Sequence, residues 1–93
     1  MPATSNATAL FDWVTSVAAE LGIEDAVDPD SIVDTVLDMT ADVAQTVSRP
    51  SAPVTAYLLG IAAGRSTDPK AAARELATKV TALSGGWRKA EAG

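Results

Sequence analysis

The sequence contains neither cysteine nor histidine among its 93 residues. Without cysteine the chain cannot form a disulfide framework, a thiol nucleophile or a thiolate metal site. Without histidine it lacks the usual general base of enzymes and the commonest metal ligand. We therefore expect a protein that is not an enzyme and that holds no cofactor or metal ion, and the residue pattern alone identifies no reaction.

Long apolar runs are also missing. No stretch approaches the roughly 18 consecutive apolar residues of a membrane-spanning helix. The opening residues MPATSNATALFDW lack the basic start and apolar centre of a signal peptide. We therefore expect a cytoplasmic protein without a membrane partner.

Basic residues are absent from positions 1–48, which hold nine acidic residues, whereas positions 49–93 hold seven basic and three acidic residues. The two parts carry formal charges of −9 and +4, which sum to the net charge of −5. An acidic total argues against a general nucleic-acid binder, which needs a basic surface, although the argument is weaker for the basic part. The opposed charges can attract each other within one domain or across a dimer.

Large apolar side chains are few, because 19 of the hydrophobic residues are alanine and only 25 are larger. A domain of this length buries only about 60 to 65% of the surface that its unfolded chain exposes. We therefore expect one domain whose apolar surface is completed by a protein partner or by a homodimer.

Helical periodicity predicts an all-α, single four-helix domain at residues 7–87, between a flexible leader (1–6) and a flexible tail (88–93). Glycines after the first and fourth helices, Gly22 and Gly85-Gly86, predict their ends. Asp28 and Asp68 each precede a proline and are expected to act as N-caps. The helices are expected at about 7–21, 29–47, 53–64 and 68–83.

The first two helices are amphipathic. Trp13 belongs to the apolar stripe of the first helix and is expected in the core. The second helix carries a ladder of four acids opposite its apolar stripe. A straight helix face cannot converge enough oxygens on one cation, so we interpret the ladder as a solvated face and not as a metal site. Its members are Asp30, Asp34, Asp38 and Asp42.

The third helix is apolar on every side, which is typical of a bundle centre or an interface. This helix contains a strip of residues with small or no side chains, which would let another backbone approach closely. The strip consists of Ala56, Gly60 and Gly64. Trp87 stands alone after the predicted fourth helix, either as a lid over apolar surface or as a contact for a partner.

Two further features admit two interpretations each. Asp42 and Arg49 are two helical turns apart, so they either form a local salt bridge or leave Arg49 as a contact for an anion or partner. The sequence Asp30-Ser31-Ile32 at the start of an acidic second helix resembles that of an acyl carrier protein, whose serine takes phosphopantetheine. The alternative is that Asp and Ser simply cap the helix.

The central stretch resembles a small uncharacterised bacterial domain that occurs alone or as a C-terminal extension of molybdenum cofactor guanylyltransferases. The resemblance rests on Asp-Val-Ala at 42–44, Arg-Pro-Ser-Ala-Pro-Val-Thr at 49–55 and Leu-Leu-Gly-Ile-Ala-Ala-Gly at 58–64. It implies a non-enzymatic accessory or interaction module in molybdenum cofactor biosynthesis, whose partner is an enzyme of that pathway. The expected interaction surface comprises Asp42, Arg49, Pro50, Pro53, Thr55, Ala56, Gly60, Gly64 and Trp87.

Overall fold

A computed structural model describes the backbone of residues 6–92 and the side chains of residues 9–87. Within this part the chain is all-α, as its periodicity predicts. One turn of 3-10 helix, Glu24–Ala26, leads from the first helix into the second. Residues 1–5 of the predicted leader and residue 93 of the predicted tail lie outside the described part. The four helices are α1 (Asn6–Leu21), α2 (Pro29–Thr46), α3 (Ser51–Gly64) and α4 (Pro69–Ala92).

The first helix ends at the predicted glycine. Gly22 has a φ of +71°, a left-handed conformation that disfavours residues with a Cβ. Its N–H donates to the carbonyl of Ala19 at 3.2 Å, and the N–H of Ile23 donates to the carbonyl of Ala18 at 2.9 Å. These two bonds form a Schellman motif, which confirms the predicted end of α1.

The fourth helix begins as predicted and ends later. The Oδ1 atom of Asp68 accepts a hydrogen bond from the N–H of Ala71 at 3.3 Å, so Asp68 caps α4 through its side chain. The predicted end at Gly85-Gly86 is wrong, because both glycines keep negative φ and α4 continues to Ala92. A helix-interior glycine costs only about 1 kcal/mol, which does not force termination. Trp87 therefore lies on α4, and the backbone of residues 88–92 is helical.

The connection between α2 and α3 is shorter than predicted. α2 ends at Thr46 and α3 begins at Ser51, two residues before the predicted start. The prediction that Arg49 lies two helical turns after Asp42 assumed that α2 continues to Arg49. Arg49 instead lies in the turn and is not on the same helix face as Asp42. At the other end of α2, Asp28 occupies the N-cap position, but its side chain makes no capping hydrogen bond.

The core lies between α2, α3 and α4 and consists mostly of small side chains. The three large side chains buried in it are Met39 and Val43 of α2 and Leu59 of α3. Alanine faces let helices pack closely but bury little apolar surface per residue. The alanines buried in or beside this core are Ala52, Ala63, Ala72, Ala73 and Ala77.

α1 packs on α2 and leaves much of its own apolar stripe open. Trp13 is 65% exposed, so its predicted place in the core is wrong. The shape explains this exposure: the molecule extends over 51 × 38 Å but is only 18 Å thick. Its radius of gyration is 14.6 Å, against about 12 Å for a compact domain of this length. A layer this thin has no interior deep enough for a tryptophan on its outer helix.

Candidate functional site

α3 buries two alanines and one leucine and turns its other bulky residues outward. Ala52, Leu59 and Ala63 are buried against α2 and α4. The opposite side, which we call the outer face of α3, carries large apolar side chains that are 44–70% exposed. An apolar face of this kind is typical of an interaction surface. Its residues are Val54, Tyr57, Leu58 and Ile61.

An open groove of 280 Å³, the α2–α3 groove, lies between α2, α3 and the start of α4. Ala56, Gly60 and Gly64 line it on the α3 side. A Cβ atom added to either glycine would meet no atom within 4 Å. The sequence suggested that the strip lets another backbone pack closely. Only Ala56 packs against the core of this chain, whereas the two glycines leave the groove open. The other apolar lining residues are Ile23, Ala26, Val27, Ile32, Val36, Leu59, Ala63, Pro69 and Ala73.

The rim of the α2–α3 groove is polar and carries two cations. Lys70 and Arg74 lie one turn apart on α4, and Asp28 and Ser31 lie at the start of α2. An Nη1 atom of Arg74 donates a hydrogen bond to the half-buried hydroxyl of Ser31 at 3.3 Å. The rim thus combines two positive charges and one negative charge around an apolar interior.

A second groove of 400 Å³, the α3–α4 groove, lies on the other side of α3. Thr55 and Leu58 line its α3 wall, and Leu83 and Trp87 line its α4 wall. The exposed fractions of Leu83 and Trp87 are 65% and 49%. Lys79 is the one charged residue among the described side chains that line this groove.

The predicted interaction surface is divided by α3. Ala56, Gly60 and Gly64 belong to the α2–α3 groove, whereas Thr55 and Trp87 belong to the α3–α4 groove. The remaining predicted residues lie near the connection between α2 and α3. Arg49 and Pro50 are exposed in the turn, Pro53 is exposed in the first turn of α3, and Asp42 is half-buried on α2.

The outer face and the cationic rim were not identified from the sequence. A signal for the outer face was present, since positions 54, 57, 58 and 61 are bulky and share one side of a helix, whereas 52, 56, 59 and 63 hold three alanines and one leucine. The difference in bulk between the two sides indicates which one can pack closely. The rim gave no comparable signal, because Lys70 and Arg74 become neighbours of Ser31 only through the packing of α4 on α2.

One family comparison decides the classification of the chain. Residues 5–92 match the model of a family described as a domain of unknown function, DUF6457. The chain belongs to the DUF6457 family. This match confirms the expectation of a small uncharacterised domain. Neither the curated proteins nor the solved structures contain a match to this DUF6457 domain.

The acidic ladder of this DUF6457 domain lies mainly in solvent. Asp30, Asp34 and Asp38 are exposed. Over the described residues, no three acidic side chains lie close enough together to hold a metal ion. In the same part of the chain, every helix is too short or too polar to cross a membrane.

Proposed function

We propose that this DUF6457 domain is a non-enzymatic interaction module of the cytoplasm that binds an enzyme of molybdenum cofactor biosynthesis through the α2–α3 groove. The motif at 42–64 supports the pathway, because it resembles the domain that extends the guanylyltransferases. The observation that carries the mode of binding is the groove itself, whose α3 wall includes two glycines, Gly60 and Gly64, with open space above them.

The shape of the groove suits the side chains of a partner helix. Specific interfaces place a few apolar anchors in pockets of the partner. A volume of 280 Å³ accommodates two or three such side chains. The glycines let the partner's backbone come close to α3, since no side chain of α3 stands in between.

The charges at the rim favour an acidic partner segment. Lys70 and Arg74 are exposed on α4, and a guanidinium can hold a carboxylate by two parallel hydrogen bonds. Asp28 on the opposite rim would repel a carboxylate placed near it. The acidic group of the partner therefore lies on the α4 side of the groove in this proposal.

Filling the groove tests the proposal. We expect Gly60→Leu to weaken binding of the guanylyltransferase from the same organism by at least about tenfold, equivalent to about 1.4 kcal/mol. The substitution should raise the free energy of unfolding by about 0.5 to 1 kcal/mol, because leucine favours a helix interior over glycine. Calorimetric titration measures the affinity, and urea unfolding measures the stability.

The matched control is Gly85→Leu, the same substitution at an exposed glycine inside α4 with open space around it. It should stabilise the chain by a similar amount and leave the affinity unchanged. Equal affinity of wild type and Gly60→Leu would exclude the groove as the binding site. Failure of the wild type to bind the guanylyltransferase would exclude the proposed partner.

One observation favours a second candidate function, that of an acyl-carrier-like protein. Ser31 lies in the first turn of the acidic α2, on the rim of an apolar groove that an attached acyl chain could enter. Treatment with a phosphopantetheinyl transferase and coenzyme A should then increase the intact mass of the wild type but not of Ser31→Ala. An unchanged wild-type mass would eliminate this candidate.

A further inference from the structure

We infer that the outer face of α3, together with the α3–α4 groove, is the interface of a two-fold symmetric homodimer. The surface is distinct from the α2–α3 groove of the proposed function, because the two grooves lie on opposite sides of α3. Dimerisation and partner binding are therefore separate properties, and each can be lost without the other.

The surface is complementary to itself. Val54 and Ile61 form a ridge along the outside of α3, and the 400 Å³ groove lies directly beside this ridge, with Leu58 on both. A two-fold axis between two copies makes residue i contact residue j and residue j contact residue i. A chain that carries both a ridge and a groove can therefore fill the groove of its copy with its own ridge, twice in one dimer.

The charge distribution also favours a second copy on this surface. The chain has a net charge of −5, yet α3 carries no charged side chain from Ser51 to Gly64. No acidic residue lines the described part of the α3–α4 groove. Two copies can thus meet here without opposing their acidic residues, whose repulsion would weaken other arrangements.

The exposed apolar area on this surface is comparable with that of a stable interface. A standard interface takes about 800 Å² from each partner. The outer face of α3 and the α3–α4 groove together hold seven large apolar side chains that are 38–70% exposed, and an area of this order is reached if a second copy covers all of them. The seven side chains are Val47, Val54, Tyr57, Leu58, Ile61, Leu83 and Trp87.

Sedimentation equilibrium of the full chain tests the inference. From low micromolar to several hundred micromolar protein, the mass of the wild type should rise from 9.5 kDa toward twice that value. Ile61→Lys should raise the dissociation constant of the dimer by about 100-fold or more, because symmetry places the introduced cation in the apolar interface twice. Val54→Lys, on the same ridge, should act in the same way.

Ala41→Lys is the matched control, since it adds the same charge at an exposed position of α2. It should leave the dissociation constant unchanged, and circular dichroism should show that all three variants are folded. A wild type that remains at 9.5 kDa throughout would overturn the inference. The inference would also be overturned if Ile61→Lys and Val54→Lys were folded and still formed the dimer, because the interface would then lie elsewhere.

Discussion

Leu59→Ala is expected to lower the free energy of unfolding by about 2 to 5 kcal/mol. Leu59 is 5% exposed, and it is the one large side chain with which α3 contacts the central cluster. Its truncation removes apolar burial and leaves a cavity that rigid helices fill only in part. A domain of this length has a total stability of only about 5 to 14 kcal/mol, so this loss should clearly lower the urea midpoint of the variant.

The neighbouring Leu58→Ala provides the control for this loss. Leu58 is 57% exposed on the outer face, so its truncation removes little burial from a single copy. Urea unfolding at a concentration that keeps the chain monomeric should give a loss below about 1 kcal/mol, as for most surface substitutions. Equal losses for the two variants would mean that α3 is rotated from the orientation described here.

Met39→Ala should be about as destabilising, at roughly 2 to 5 kcal/mol. Met39 is 1% exposed, the lowest value of any large side chain described, and it lies where α2 meets α3 and α4. Leu37→Ala, on the same helix but 51% exposed beside α1, should cost clearly less. Urea midpoints of the two variants measure the difference. The reverse order of losses would place the core on the α1 side of α2.

The positions of the helices could be predicted because local residues determine them. Gly22 ends α1 through its own backbone conformation, and the pair Asp68-Pro69 starts α4 through a cap and a fixed φ. Both effects act within a few residues, so they can be recognised in any sequence. Gly85-Gly86 misled the prediction because a glycine pair permits a turn without requiring one.

The orientation of each helix could not be predicted so well, because it depends on neighbours that are distant in sequence. Apolar residues surround α3, so periodicity gave no preferred side. The side that holds Ala52, Ala56 and Ala63 is the one that packs against α2 and α4, and Leu59 is the one large side chain on it. Met39 was missed for a related reason: it lies at the edge of the apolar stripe of α2, and only the packing of α4 turns that edge into the core.

The residues expected to form one interaction surface lie on two sides of α3, and the sequence did not predict this division. The strip at Ala56, Gly60 and Gly64 was identified as a surface without bulk, and it lines an open groove. Trp87 was expected either as a lid over apolar surface or as a contact for a partner, and it lines a different groove. The sequence analysis assigned the strip and Trp87 to one surface, because the sequence alone does not show that they lie on different sides of α3.

The central claim, that this domain binds a partner enzyme through the α2–α3 groove and not through the outer face of α3, is tested most directly by one titration series. The guanylyltransferase is titrated by calorimetry with the wild type, Gly60→Leu and Ile61→Lys. We predict that the wild type and Ile61→Lys bind with similar affinity and that Gly60→Leu binds at least about tenfold more weakly. Equal binding by all three chains, or binding by none, would contradict the claim.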